Sequence, residues 1–111
     1  MELNEKLIDL CTKNFAYYKS KYNKNFSNML NYSLMDTEDM VGGLSRYVSK
    51  GEDKYLLTQI FEKCKSDYRA IPEIVVLKYK EYFPNEIIEL VEERLDDWCI
   101  NYREYLNENL K

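Results

Sequence analysis

The sequence predicts an all-α fold: a single-domain helical bundle of about five helices with a long amphipathic C-terminal helix. Three observations carry that prediction. Apolar residues recur at three or four positions through most of the chain, the period of a helix that buries one face. Helix punctuation stands between the periodic stretches, at Gly51, Ile71-Pro72 and Pro84-Asn85. The one candidate strand, Ile74–Tyr79, has no partner strand elsewhere. At 111 residues one domain over 1–111 is expected, able to bury roughly two-thirds of its unfolded surface.

The first helix is expected near Glu2 to Tyr22. Leu3, Leu7, Leu10, Cys11, Phe15, Tyr18 and Tyr22 form its apolar stripe. Asn23-Lys24-Asn25 breaks the pattern, and a short helix is expected over Phe26 to Leu34, with Phe26, Met29 and Leu30 inward. Asp36 or Thr37 then reads as an N-cap, with Glu38 and Asp39 in the first turn, where carboxylates favour the helix dipole. Met40, Val41, Leu44, Tyr47 and Val48 give the next apolar face, closed by Gly51 as a C-terminal cap. Gly42-Gly43 lies inside this helix, where each glycine costs about 1 kcal/mol against alanine. A close helix approach or a kink is expected there. No phosphate-loop pattern surrounds the pair.

Asp53 reads as the cap of a helix with Leu56, Leu57, Ile60, Phe61, Cys64 and Tyr68 inward. Ile71-Pro72 stops it, because the residue before proline is pushed out of the α region. Pro72 then opens a helix through Ile74, Val75, Val76 and Leu77 to Phe83. The last helix is expected from about Glu86 to Asn107, roughly 33 Å at 1.5 Å per residue. Ile87, Ile88, Val91, Leu95, Trp98, Cys99, Tyr102, Tyr105 and Leu106 share one broad face. Glu86, Glu89, Glu92, Glu93, Asp96, Asp97, Glu104 and Glu108 occupy the other, with Ile100 among them and Leu90 at the margin.

Eleven tyrosines and no histidine stand in the chain. Tyrosine joins a large apolar ring to a polar tip, which suits core edges and binding surfaces. Without histidine the commonest general base and metal ligand are missing. The chain therefore reads as a binder rather than an enzyme, with no cofactor. The cysteines Cys11, Cys64 and Cys99 form no CxxC pair and are expected as small buried hydrophobes, reduced, in a cytoplasmic setting. No run approaches the roughly 20 apolar residues of a membrane span. Glu2, Glu5 and Asp9 among the N-terminal leucines do not fit a secretory signal.

The net charge of −4 is unevenly laid out. Residues 1–28 carry five lysines against three acids; residues 29–80 balance at eight of each; residues 81–111 carry nine acids against three bases. This asymmetry marks two candidate surfaces. The first is the acidic face of the last helix, Glu89, Glu92, Glu93, Asp96 and Asp97, with Ile100 as an apolar contact. It is expected to dock on the basic surface of a protein partner, in the manner of a phosphate mimic. A Mg²⁺ site from Glu89, Glu93 and Asp96 has the right helical spacing, but no second acidic helix supplies facing ligands. The second surface is Lys13, Tyr17, Lys19, Lys21 and Lys24, basic residues interleaved with aromatics as in nucleic-acid binding. Its ordinary alternative is a solvated lysine face. A helix-turn-helix across Pro84-Asn85 is excluded, because its recognition helix would present carboxylates to phosphate.

The leading expectation is a small inhibitor-type binding protein acting on a nucleic-acid-handling protein. Immunity proteins, antitoxins and phage anti-defence proteins share this size and charge, an analogy of bulk properties rather than of motifs. A nucleic-acid-binding module is the alternative, and a homo-oligomeric structural subunit a third.

Overall fold

Six α-helices and one 3₁₀ turn make up the regular structure of the described residues. The computed structural model describes residues 2–24, 38–50 and 53–106, with backbone alone for 53–55. The helices are α1 (Leu3–Tyr22), α2 (Met40–Lys50), α3 (Asp53–Lys63), α4 (Pro72–Lys78), α5 (Asn85–Asp97) and α6 (Tyr102–Leu106), with the 3₁₀ turn at Lys80–Tyr82. No strand occurs among the described residues, so Ile74–Tyr79 is helical over most of its length. The radius of gyration is 12.8 Å, against about 13 Å for a compact chain of this length. The expected helix over Phe26 to Leu34, the Asp36 or Thr37 cap and the Gly51 cap lie outside the described residues.

The core forms around α4. Every residue from Pro72 to Leu77 is buried. A helix apolar nearly all round needs neighbours on all sides, and α4 packs against α1, α2, α5 and α6. Its start follows the expected pattern: Ile71 is extended (φ −77°, ψ 157°) and Pro72 is the first helical residue. Leu7, Cys11 and Tyr18 of α1, Leu44, Tyr47 and Val48 of α2, Leu56, Leu57 and Ile60 of α3, and Val91 and Leu95 of α5 join it in one buried cluster.

The cap of α2 is Asp39, in place of the expected Asp36 or Thr37, so Glu38 and Asp39 precede the helix instead of forming its first turn. Its Oδ1 accepts the Gly42 N–H at 2.9 Å, and its carbonyl accepts the Gly43 N–H at 2.9 Å. A Cβ on Gly42 would lie 2.2 Å from Asp39 Oδ2, so the glycine makes room for the cap. Asn4 of α1 reaches the same end. Its amide donates to the Glu38 carbonyl, and its Oδ1 accepts the Met40 N–H at 3.2 Å.

Two helices end earlier than their apolar pattern predicts. α3 stops at Lys63, because Lys65 (φ 54°) and Ser66 (φ 59°) turn left-handed. Tyr68 therefore reaches the core from a loop, and Phe61, expected inward, is 63% exposed. The expected helix from Glu86 to Asn107 is instead two helices. Cys99 takes φ 57°. The Cys99 N–H bonds the Asp96 carbonyl at 3.0 Å and the Ile100 N–H bonds the Leu95 carbonyl at 2.9 Å. That pair of bonds is the Schellman C-terminus, and its usual companion is an apolar contact from the residue after the left-handed one. Ile100 supplies it: the turn carries its side chain off the acidic face into the core, 6% exposed. Cys99, expected in the core, is exposed, whereas Cys11 and Cys64 are buried.

Candidate functional site

Two charged regions stand out, and the fold treats them differently. The first is the outer face of α5. Val91 and Leu95 anchor the helix inward, leaving Glu86, Glu89, Glu93, Asp96 and Asp97 exposed. At 100° per residue these five carboxylates fall within an arc of about 100° and span about 16 Å of axis. Among the described residues no ion pair engages any of them. Glu92 is half-buried and accepts the Tyr102 hydroxyl at 3.3 Å. Leu90 is half-buried beside the strip.

Arg94, the lone cation of α5, does not neutralise the strip. It turns inward to Glu73 of α4, with Nη1 3.6 Å from Oε2, and Glu73 is fully buried. Asp96 and Asp97 occupy the last turn of α5. A carboxylate there opposes the helix dipole by about 0.3–1 kcal/mol. This placement was not visible from sequence, where the helix ran ten residues further.

The second region is the C-terminal half of α1, and it is drawn into the protein. Tyr17 donates to Asp67 Oδ2, as does Tyr22 at 2.7 Å. Lys21 Nζ lies 3.6 Å from the same oxygen. Arg69 Nε bonds Asp67 Oδ1 at 2.8 Å. Tyr18 donates to the Asp67 carbonyl at 2.8 Å and accepts the Ala70 N–H at 3.4 Å. Lys21 also sits over the rings of Tyr17 and Tyr22, and Arg69 over those of Tyr17 and Tyr105. Tyr17 and Lys21, two of the five expected nucleic-acid contacts, thus hold α1 to the loop after α3. Lys13 pairs with Asp9 at 2.9 Å on the surface. Lys19 is exposed and Lys24 half-buried.

Burial pushes the Asp67 carboxyl up, but the Tyr17, Tyr22 and Arg69 hydrogen bonds and the Arg69 charge outweigh it and hold the pKa below the usual aspartate value. Burial first, and then the bond to Asp67, raises the Tyr22 phenol to about 12 and also raises that of Tyr17. Burial alone lifts the Cys11 thiol to about 12, far from a reactive thiolate. Sequence reading missed Asp67 as the centre of this cluster. Its partners on α1 lie 45 to 50 positions away, beyond any local pattern. Among the described residues no group of three or more histidine, cysteine, aspartate and glutamate side chains is placed to hold a metal ion. Nor, among the described residues, is any helix long and apolar enough to cross a membrane.

Comparison with protein-family models, curated proteins and solved structures gives no significant match.

Proposed function

We propose that this chain is a small non-enzymatic binding protein of the inhibitor type, whose helix α5 docks on a basic surface of a nucleic-acid-handling protein. Glu89, Glu93, Asp96 and Asp97 make the contact, with the half-buried Glu92 at its edge. The observation that supports it most is the exposed carboxylate strip of α5, left without an ion pair among the described residues while Arg94 is turned inward to Glu73. Asp96 and Asp97 add to it. They sit at the helix end where negative charge opposes the dipole, and no ion pair among the described residues engages either. Ile100 is no part of the surface, since it belongs to the core.

Affinity capture from host lysate after nuclease digestion identifies the partner. Against that partner, Glu93→Lys with Asp96→Lys is expected to weaken binding by roughly tenfold or more and to flatten its dependence on salt. The same Asp96→Lys change should raise the thermal midpoint, as a cation in the last turn gains about 0.3–1 kcal/mol. Opposite signs on binding and stability distinguish a working surface from an ordinary solvated face. Unchanged affinity, or capture of nucleic acid alone, would sink the reading.

A further inference from the structure

We propose that Tyr17, Lys21, Tyr22 and Arg69 form a cradle for a phosphate group, free or as a phosphomonoester, which the chain's own Asp67 carboxylate occupies as an internal stand-in. Two cationic side chains and two phenol hydroxyls converge on one carboxylate. Three of these four groups, Tyr17, Tyr22 and Lys21, aim at the single oxygen Oδ2. A carboxylate oxygen offers about two lone-pair sites, and Lys21 stays 3.6 Å from it, donating instead to the Tyr17 hydroxyl at 3.2 Å. A phosphate spreads the same donors over three oxygens, and its dianion matches two cations. Planar guanidinium and mobile ammonium together are a common phosphate-binding pair.

The cradle also has a way in. Asp67 is almost wholly covered, but the Lys21 and Arg69 side chains are 50% and 32% exposed. Asp67 is delivered by two consecutive left-handed residues, Lys65 and Ser66, neither of them glycine. That backbone is costly for residues with a Cβ, and strain of this kind gathers at clamps and switches. The contact is therefore autoinhibitory: the loop after α3 fills the cradle until a phosphate displaces it. This site is independent of the acidic face of α5.

The test uses the full chain with Asp67→Ala and with Asp67→Asn, the latter keeping the side-chain shape should the former fail to fold. Each is titrated calorimetrically with inorganic phosphate and with phenyl phosphate, at constant ionic strength in chloride. Both variants are expected to bind at least one of the two anions about tenfold more tightly than the unaltered chain, since the competing carboxylate is gone. Tighter binding of phenyl phosphate would identify a phosphomonoester as the source. Adding Lys21→Met and Arg69→Met to either variant should remove the gain. Folded Asp67 variants with no gain over the unaltered chain, or a gain that persists without Lys21 and Arg69, would overturn the proposal.

Discussion

A buried hydroxyl illustrates how much single polar atoms decide here. Tyr18 bridges the Asp67 carbonyl and the Ala70 N–H, both in the loop between α3 and α4. Its ring is part of the core, so Tyr18→Phe keeps the packing and removes only the oxygen. The loop carbonyl and amide would then lose a buried partner, at a cost of about 1–3 kcal/mol. Tyr22→Phe removes a bond to an Asp67 oxygen that keeps other donors, so a smaller loss of about 1 kcal/mol is expected. Urea denaturation of both variants measures the order. Equal effects, or a Tyr18→Phe change below about 0.5 kcal/mol, would show that the bridge contributes nothing special.

Among the elements, α2 shows how a glycine that looks costly is placed for a cap. Gly42→Ala alone gains about 1 kcal/mol of helix propensity. The new Cβ, 2.2 Å from Asp39 Oδ2, displaces the cap and loses about 1 kcal/mol. The net change is expected near zero. In an Asp39→Ala background the cap is already gone, and the same substitution should gain its full 1 kcal/mol or so. A double-mutant cycle by thermal denaturation reads that coupling, and additive values would contradict the Asp39–Gly42 pairing. The sequence made α1, the core of α2 and the Pro72 start of α4 legible, because period and punctuation agree there. Pro84-Asn85 likewise marked the start of α5. It did not show where α3 and α5 stop. Both are ended by left-handed residues without glycine, Lys65, Ser66 and Cys99, which leave no compositional trace. Ile100 left the acidic period for the core for that reason, whereas Phe61 stays helical and turns to solvent. The carboxylate strip was readable as a helical face, but the inward turn of Arg94 to Glu73 depends on packing between helices.

At the scale of the whole molecule, titration separates the two ends of the stability curve. The Asp67 pKa is held below its unfolded value. Its contribution is therefore present above about pH 4, the unfolded aspartate range, and is lost as pH falls through the lower folded value. The phenols of Tyr17, Tyr18 and Tyr22 and the Cys11 thiol have pKa values raised by burial. Their contributions hold below the unfolded values of about 9 to 10 and are lost as pH rises, through about 12 for Tyr22 and Cys11. Stability should form a plateau from about pH 5 to pH 8 and fall on both sides. Asp67→Asn isolates the acid limb, because asparagine does not titrate. The stability difference between the unaltered chain and Asp67→Asn is expected to stay constant from about pH 6 to pH 8 and to shrink below about pH 4. Urea titrations across that range measure it. A difference that persisted into strong acid would mean that Asp67 is not held charged by Tyr17, Tyr22 and Arg69. The cluster on α1 would then be packing alone.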